Sequence, residues 1–467
     1  MAAERAARTP KDQRLFAGGV TPFYLAILAV TILVGISAVM VVSASSGEAV
    51  LKSAGEAIGA QATWAAFHEG LNNLGFIVAG AIIAAIISRI DYRTFASWSF
   101  PVLLVVIGLL VAVLIIGQTI YGASRWLFFG PLSLQPSELA KPVLLVFAAY
   151  VLALFSEVGS AHDWTGRRAS LFLSIPAVLI GITLLTIFFQ PDMGTTAIIV
   201  GGLLVVYIMS GFGLRFLTFL MPIALGLYLV RSFASGTYQA QRIQSLIQGL
   251  THGQYSHQVT QAMYALGSGG LFGVGLGLSR QKYFYLPEAQ NDFILAIIGE
   301  EMGLLGTLAV VAAFGLLLWA GFAITLGARD RLGRVLSAGA TTILIAQAII
   351  NMVAVVGIGP VTGKPLPFVT LGGSAMISSF ILLGIILSVA RFGGEVREGF
   401  GAKPSLFVAC ADKVVGALDG YLERRPTRAP KAKKQQPGDE KGGDEDEGDL
   451  EWRWDRGTRL SGPGSGA

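Results

Sequence analysis

The chain has 467 residues, of which 53% are hydrophobic and only 13% are charged. Soluble domains carry about 25% charged residues, so this composition cannot cover a water-facing surface. The charge is also uneven, because residues 426–467 alone hold 17 of the 63 Lys, Arg, Asp and Glu residues. The composition therefore excludes a soluble fold and predicts an all-α, polytopic membrane helix bundle.

Apolar segments along the chain predict about ten transmembrane helices, since a span needs about 20 mostly apolar residues. The first follows a basic cytoplasmic segment, residues 1–19, and is too long for the h-region of a cleaved signal peptide. We interpret it as a helix that also serves as an uncleaved signal. The predicted spans, which form a membrane domain over 20–391, are 20–43, 62–88, 99–117, 138–156, 170–189, 193–210, 215–232, 293–325, 335–357 and 372–391.

The positive charges of the short loops indicate the orientation, because cytoplasmic loops carry an excess of Lys and Arg. Ten spans with both termini in the cytoplasm fit this distribution. The outer side then receives one large loop, residues 233–292, before the eighth span. A loop of that length without obvious structure is usually functional. Beyond the spans we predict a cytoplasmic segment with an interfacial helix over 392–425 and a disordered charged tail over 426–467.

Asp292 stands where the large outer loop enters the eighth span. A helix cap is the simplest interpretation, because aspartate satisfies unpaired N–H groups at a helix start. A catalytic carboxylate is the alternative. Glu300 and Glu301 lie about 12–14 Å further along a helix, at a depth where acidic side chains must face the bundle interior or water.

Glu138 and Lys141 are spaced i,i+3 at the start of the fourth span and are expected to form an ion pair. A purely structural pair and a substrate-binding pair are both open interpretations. Arg125, beside Trp126, is either an interfacial anchor or a clamp for an anionic group, because a guanidinium matches the geometry of phosphate.

Two further polar turns fall on the outer side. Gln190 and Asp192 flank a proline in a tight turn, where we expect Asp192 to cap a helix. Lys364 precedes a helix start whose N–H groups could bind an anion. That start consists of Gly372, Gly373 and Ser374. The concentration of polar motifs on the outer face favours a functional site that is reached from the outer side of the membrane. It argues against a transport pathway at the membrane midplane.

Five motifs in this order resemble the SEDS family of bacterial cell-wall proteins, FtsW and RodA, and the likeness is closer to FtsW. They are GASRW (122–126), PLSLQPSELAK (131–141), QPDMGT (190–195), ALGSGGLFGVGLGLSRQKYFYLPEAQNDFILAIIGEE (265–301) and PLPFVTLGGS (365–374). Two stretches depart from the family pattern. The family usually reads SYGGSS where this chain has residues 370–375, and residues 238–257 lack much of the usual sequence.

The resemblance implies a peptidoglycan glycosyltransferase of the bacterial cytoplasmic membrane. Such proteins polymerise the lipid-linked disaccharide lipid II on the outer side of the membrane, with a class B penicillin-binding protein as the transpeptidase partner. Other division or elongation proteins are implied as further partners, and nucleic acid is not. The family's essential aspartate falls on Asp292, its paired Glu and Lys on Glu138 and Lys141, and its loop arginine on Arg125.

The implied chemistry is inverting glycosyl transfer, with Asp292 as the general base. The charge of the leaving group would be met by Arg125, Lys141 or a divalent cation, Mg²⁺ or Mn²⁺, and the metal ligands stay unassigned. Three alternatives remain open: an elongation polymerase like RodA, a lipid II flippase or transporter, and a non-catalytic division scaffold. The flippase needs ionisable residues near the midplane. Its candidates are His68, Glu69, Glu300 and Glu301.

Overall fold

The computed structural model describes residues 19–52, 60–120, 123–129, 132–158, 167–211, 238–283, 285–394, 406–410 and 413. All of these belong to one compact unit within residues 1–419. The helices of the described ranges are α1 (Val20–Lys52), α2 (Ala60–Arg89), α3 (Tyr92–Ser97), α4 (Ser99–Ile116), α5 (Pro136–Val158), α6 (Arg167–Phe189), α7 (Met193–Met209), α8 (Tyr238–His252), α9 (His257–Ser268), α10 (Ile294–Gly327), α11 (Arg331–Val355) and α12 (Gly373–Phe392).

Seven of the described helices contain stretches long and apolar enough to cross a membrane, namely α1, α2, α4, α5, α10, α11 and α12. They correspond to seven of the ten predicted spans. Two more predicted spans fall on α6 and α7, whose apolar parts Ser174–Phe189 and Met193–Met209 are shorter. The predicted span 215–232 lies outside the described residues. The helical membrane fold is thus confirmed, whereas the count of ten and the cytoplasmic placement of both termini stay predictions.

The core of the bundle lies around α5 and α12, whose apolar stretches are the most buried of the seven. Helix α12 packs against α2, α1 packs against α2 and α10, and α11 packs against α7 and α10. By contrast, α2 and α4 keep rows of Ile, Leu and Val exposed. A lipid-facing helix needs no polar outer face, so these exposed rows fit a bilayer environment.

A small antiparallel sheet, which the all-α prediction did not include, precedes α5. Its strands β1 (Gln118–Ile120), β2 (Ala123–Phe129) and β3 (Leu132–Leu134) pair in the order β1-β2-β3. The register pairs Gln118 with Trp126 and Leu127 with Leu134. Arg125 therefore lies on the central strand of the sheet, and β3 leads from this strand into α5.

The predicted outer loop 233–292 contains two helices in its described part, α8 and α9, so the expectation of a loop without structure is wrong for these residues. Val259, Ala262 and Ala265 recur at helical spacing on α9 and are buried. One apolar face at this period is enough to hold a helix against the bundle. The polar residues between these positions concealed the pattern in the sequence.

Helix α10 is broken near its start by Gly303, whose φ of 69° and ψ of −163° are not helical. The glycine loop, residues 269–279, packs against this break. An added Cβ would lie 1.9 Å from the carbonyl oxygen of Gly299 if placed on Gly269, and 2.1 Å from that of Glu301 if placed on Gly273. Only glycine allows so close an approach of two backbones.

Backbone hydrogen bonds between the glycine loop and α10 pair the polar groups that the break would otherwise leave unpaired. Two loop N–H groups donate to α10, and two α10 N–H groups donate to the loop. These bonds run from Val274 to Glu300 (2.9 Å), from Gly275 to Glu301 (3.1 Å), from Leu304 to Gly270 (2.9 Å) and from Leu305 to Leu271 (3.3 Å). The break is therefore a stable element, since buried backbone groups must be paired.

Near the end of the described chain, residues 406–410 are helical. Phe407 is buried, and its ring lies 5.5 Å from that of Phe100 and 5.6 Å from that of Phe147. These rings attach the segment to α4 and α5. The interfacial helix proposed for 392–425 stays a prediction, and the charged tail 426–467 lies outside the described residues.

Candidate active site

Four buried charged side chains form an alternating row, which we call the ion chain: Lys141, Glu138, Lys364 and Asp192. Lys141 Nζ lies 2.5 Å from Glu138 Oε2, and Lys364 Nζ lies 3.9 Å from Glu138 Oε1 and 2.8 Å from Asp192 Oδ1. Each of the four is at most 2% exposed. Buried charges persist only when they are paired. The structure therefore contains the pair expected for Glu138 and Lys141, and a second pair that joins two distant predicted motifs.

Asp192 caps α7, as the sequence predicts. Its carboxylate accepts hydrogen bonds from the Thr195 N–H (3.2 Å), the Thr195 hydroxyl (2.9 Å) and the Ser137 hydroxyl (3.0 Å). Burial alone would raise the pKa of Asp192, but the charges of Lys364 and Arg125 and the bonds from Lys364 and Thr195 hold it well below its usual range. The carboxylate is therefore ionised at neutral pH.

Two amides of α11, Gln347 and Asn351, connect the ion chain to the segments around it, and the sequence analysis missed both. They are buried and spaced i,i+4, so they share one face of the helix. Gln347 accepts from Lys141 Nζ (2.5 Å) and donates to the Pro365 carbonyl (2.8 Å), while Asn351 Nδ2 donates to the carbonyls of Asp292 (2.7 Å) and Lys364 (2.8 Å). Two amides at i,i+4 spacing within an apolar span were the sequence feature that could have indicated these two residues.

Asp292 does not cap α10, so the capping interpretation is wrong. The cap position is Phe293, and no side chain makes a capping bond there. Instead, the Asp292 carboxylate faces Gly363, where an added Cβ would lie 3.4 Å from Oδ2. Gly363 has a φ of 67°, a conformation that favours glycine. The Asp292 carboxylate is half-buried, and no hydrogen bond within the described part of the chain involves it.

The charges around Asp292 set its protonation. Burial raises the pKa of Asp292 to about 6, and the neighbouring charge of Glu288 acts in the same direction. The cations Lys364, Arg242 and Arg125 oppose this increase. A carboxylate with a pKa near 6 is ionised at neutral pH yet basic enough to accept a proton from a reacting group.

Arg242 on α8 is a further residue that the sequence analysis did not assign to the site. Its Nη1 donates to the Val361 carbonyl (2.5 Å), and its guanidinium lies within 3.7 Å of the Cβ position on Gly363. It also lines a cavity of about 180 Å³ between α8, the start of α9 and residues 357–361. Ligand pockets usually measure about 300–1,000 Å³, so this cavity can hold one group of a larger substrate.

Arg125 supports the turn that carries Asp192. Its Nε donates to the Gln190 carbonyl (3.1 Å), and its Nη2 donates to the Pro191 carbonyl. Gln190 is itself anchored, because its Nε2 donates to the Leu110 carbonyl (3.0 Å). Arg125 therefore orders the turn, while its charge reaches both Asp192 and Asp292.

The start of α12 makes packing contacts with its neighbours. The Ser374 hydroxyl accepts from the Gln135 N–H (3.0 Å) and donates to the Ser133 carbonyl (3.3 Å). An added Cβ on Gly373 would lie 2.6 Å from the Phe76 ring. Gly372 is the cap residue. These contacts fasten α12 to β3 and α2, and the anion-binding role of the three residues stays a prediction.

Glu301 forms hydrogen bonds with the glycine loop. Its carboxylate accepts from the Ser43 hydroxyl (2.7 and 2.8 Å), the Gly277 N–H (2.9 Å) and the Ser279 N–H (3.3 Å), and it pairs with Lys282 Nζ (3.1 Å). Ser43 belongs to α1, so this cluster also links the loop to the first helix. The pairing explains why an acidic residue can be buried at this depth.

Glu300 acts on the other side of the same loop. It accepts from the Ser279 hydroxyl, the Arg280 N–H (2.9 Å) and the Gln281 N–H (3.4 Å). Both glutamates are therefore buried and bonded to the glycine loop, which fits the expectation that they face the interior of the bundle. This removes two of the four residues that favoured a flippase.

The ligands of the expected divalent cation stay unassigned. Over the described ranges, no group of three or more His, Cys, Asp or Glu side chains could hold a metal ion. Asp292 has one carboxylate neighbour, Glu288, and three cationic neighbours. Because the cations already supply positive charge there, we derive no step through a metal ion.

A profile of the FtsW/RodA/SpoVE family of cell cycle proteins matches residues 24–394. The chain therefore belongs to this family, as the five motifs indicated. Stage V sporulation protein E of Bacillus subtilis is 36% identical over 343 residues, which cover 71% of this chain and 91% of that protein. The probable peptidoglycan glycosyltransferase FtsW of Trichlorobacter lovleyi is 34% identical over 333 residues, which cover 69% of this chain and 85% of that protein.

Solved structures share the fold. Rod shape determining protein RodA of Thermus thermophilus has a TM-score of 0.55 and 24% identity, covering 79% of this chain and 97% of that chain. A chain from a peptidoglycan synthase complex has a TM-score of 0.57 and 24% identity, again covering 79% and 97%. With its apolar helices, the family places the chain in the bacterial cytoplasmic membrane as a multi-pass protein.

Proposed function

We propose that the chain is a peptidoglycan glycosyltransferase that polymerises lipid II at the outer face of the cytoplasmic membrane. The observation that carries the proposal is the Asp292 carboxylate. It is half-buried, faces Gly363 and has a pKa of about 6 among three cations. Several family relatives are named as probable peptidoglycan glycosyltransferases, which supports this reaction class.

Asp292 is the general base of the proposed reaction. It takes the proton from the 4-hydroxyl of the terminal GlcNAc of the acceptor. The oxygen forms a bond to the anomeric carbon of the MurNAc of the donor, and the bond from that carbon to the phosphate oxygen breaks, so the configuration inverts from α to β. General-base catalysis contributes about 10²–10⁴-fold to the rate of such transfers.

The leaving group is undecaprenyl pyrophosphate, and it departs with the electron pair of the broken bond. Its charge needs positive groups that are already in place. Arg242 lines the cavity near Asp292, and Arg125 is close enough to lower the pKa of Asp292. Lys141 is only 1% exposed against Glu138 and Gln347, whereas Arg242 and Arg125 are partly exposed. We therefore propose that Arg242 and Arg125 stabilise the charge of the leaving group. Lys141 orders the site through its contacts with Glu138 and Gln347.

The test is polymerisation of lipid II by purified protein in detergent. Asp292→Ala should lose activity by at least about 10²-fold, as expected for removal of a general base. Glu288→Gln, which changes a neighbouring carboxylate on the same loop, should keep most of the activity. Wild-type activity in Asp292→Ala would refute the role of this residue.

The same assay separates the enzyme from the two rival functions. A flippase or transporter makes no glycan in micelles, because it moves lipid II without forming a glycosidic bond. A non-catalytic scaffold predicts that Asp292→Ala still supports growth in place of the wild-type protein. Glycan synthesis in micelles, together with loss of growth in the variant, is the outcome expected here.

A class B penicillin-binding protein is the proposed partner, since polymerised strands must be crosslinked. A structural neighbour comes from a peptidoglycan synthase complex described as coordinating polymerization and crosslinking. Relatives named FtsW favour division over elongation. A tagged copy should therefore localise to the septum, and localisation along the side wall would instead favour the RodA-like role.

A further inference from the structure

The glycine loop has an apolar edge that the proposed reaction does not use. Residues 271–278 read LFGVGLGL, and no charged residue occurs between positions 258 and 279. Phe272 is 78% exposed, Leu271 61% and Leu278 65%. Large apolar side chains are favoured where they are removed from water. A contiguous row of this kind marks a surface that contacts something apolar.

The backbone of this loop is suited to a poorly hydrated place. An irregular segment cannot face lipid with unpaired polar groups. Here Val274 and Gly275 donate to α10, and Gly270 and Leu271 accept from it. The loop therefore satisfies much of its backbone on the protein side and presents its side chains on the other.

The position of the loop along α10 gives its depth. At 1.5 Å per residue, residues 304–327 cover about 36 Å, enough for a hydrocarbon core of about 30 Å. The loop is bonded to Leu304 and Leu305, the first residues of that stretch. It therefore lies at one boundary of the bilayer. Leu304, Leu305 and Leu308 are also exposed, so the apolar surface continues without interruption from the loop onto the span.

Residues beside the loop have the composition of a membrane interface. Tyr264, Tyr283 and Tyr285 are exposed, and tyrosine is enriched where bilayers meet water. Arg280 is exposed at the end of the loop and can contact lipid phosphates.

We propose that the glycine loop inserts Leu271, Phe272 and Leu278 among the acyl chains of the leaflet at that end of α10. The occupant of this surface is phospholipid. Insertion of about 5–10 Å places the side chains in the acyl region and leaves the backbone at headgroup level. The contact adds to those of the spans and is independent of the proposed reaction.

The single cysteine of the chain makes a clean test possible. Cys410→Ser removes the native thiol, and Phe272→Cys then carries one nitroxide label. Two matched positions calibrate the measurement: Leu308→Cys on the exposed face of α10, and Arg329→Cys in the exposed turn after α10. The protein is reconstituted in vesicles of phosphatidylethanolamine and phosphatidylglycerol. Collision rates with oxygen and with a water-soluble nickel chelate are measured by electron paramagnetic resonance.

We expect the label at Phe272 to collide more with oxygen than with nickel, as at Leu308, while the label at Arg329 shows the reverse. Leu278→Cys provides a second position if the Phe272 variant does not fold. Nickel-accessible labels at the loop would overturn the proposal. Protection from nickel that appears only after a penicillin-binding protein is added would also overturn it, because the surface would then dock protein instead of lipid.

Discussion

Lys364 and Asp192 form an ion pair of 2.8 Å although both side chains are almost completely buried. The pair ties the segment before α12 to the first turn of α7. Lys364 also donates to Asp192 Oδ2 (2.9 Å) and to the Thr195 hydroxyl (2.5 Å). Asn351 donates hydrogen bonds to the backbone carbonyls of both Lys364 and Asp292, so it connects the segment of this pair to the segment of Asp292.

Removal of one partner of this pair should destabilise the protein strongly. Asp192→Asn or Lys364→Met alone removes the nearest ion-pair partner of a buried charge, which costs up to about 3–5 kcal/mol. The double variant should lose less than the sum of the two, because no charge remains unpaired. The free energies of unfolding in mixed micelles give this comparison as a double-mutant cycle.

Arg280→Gln, a change of an exposed cation, is the control for that cycle and should shift the free energy of unfolding by less than about 0.5 kcal/mol. Additive effects of Asp192→Asn and Lys364→Met would contradict a direct interaction between these side chains.

The rate of polymerisation should rise with pH through about 6 and level off above it. Asp292 acts as a base only when ionised, and its pKa is raised to about 6. Glu288→Gln removes a charge that raises this pKa and should move the midpoint to lower pH. Arg242→Gln removes a charge that lowers it and should move the midpoint to higher pH. Profiles of kcat/KM for lipid II measure both shifts, and midpoints that move together would count against this assignment.

Asp292→Asn should stabilise the protein at pH 8 and leave its stability nearly unchanged close to pH 4. The pKa of Asp292 is raised from 3.8 to about 6, so the folded state binds the proton more tightly than the unfolded state between these values. Wild-type stability therefore falls as pH rises through this window and stays lower above it. The asparagine variant lacks this loss.

Thermal unfolding of the wild type and Asp292→Asn at both pH values tests this, with Glu288→Gln as a neighbouring carboxylate for comparison. A variant less stable than the wild type at pH 8 would show that the ionised carboxylate makes favourable contacts instead. Because the variant is expected to fold, it also provides the inactive protein needed for binding studies with lipid II.

Gly273→Ala should destabilise the glycine loop, whereas Gly267→Ala should not. A Cβ on Gly273 would lie 2.1 Å from the Glu301 carbonyl oxygen, and its φ of 83° disfavours other residues. Around Gly267 there is nothing within 4 Å. We expect a loss of at least about 2 kcal/mol for the first change and within about 0.5 kcal/mol for the second. Equal melting temperatures for the two variants would contradict the described packing.

Local sequence patterns predicted the parts of this fold that depend on local physics. Runs of apolar residues gave the helices because span length is set by bilayer thickness. The i,i+3 spacing of Glu138 and Lys141 predicted their pair, since both lie on one helix face. Asp192 was recognised as a cap from its position in a tight turn between two apolar segments.

Relationships between distant segments could not be predicted in this way. Lys364 is far in the chain from Asp192, and no local spacing connects them. Asn351 reads as one polar residue within an apolar helix until its two carbonyl partners are known. The capping interpretation of Asp292 failed because Phe293 takes the cap position. Helices α8 and α9 were missed because their apolar faces are narrow and their other residues are polar.

The break at Gly303 divides α10 into two segments, and the glycine loop is hydrogen-bonded to both of them. The segment before the break begins just after Asp292, and Glu300 and Glu301 attach it to the glycine loop. The segment after the break, residues 304–327, is by itself long enough to cross a hydrocarbon core of about 30 Å. The glycine loop therefore fixes the height of Asp292 relative to the start of the long apolar segment, so a change of bilayer thickness that shifts this segment would shift the carboxylate with it.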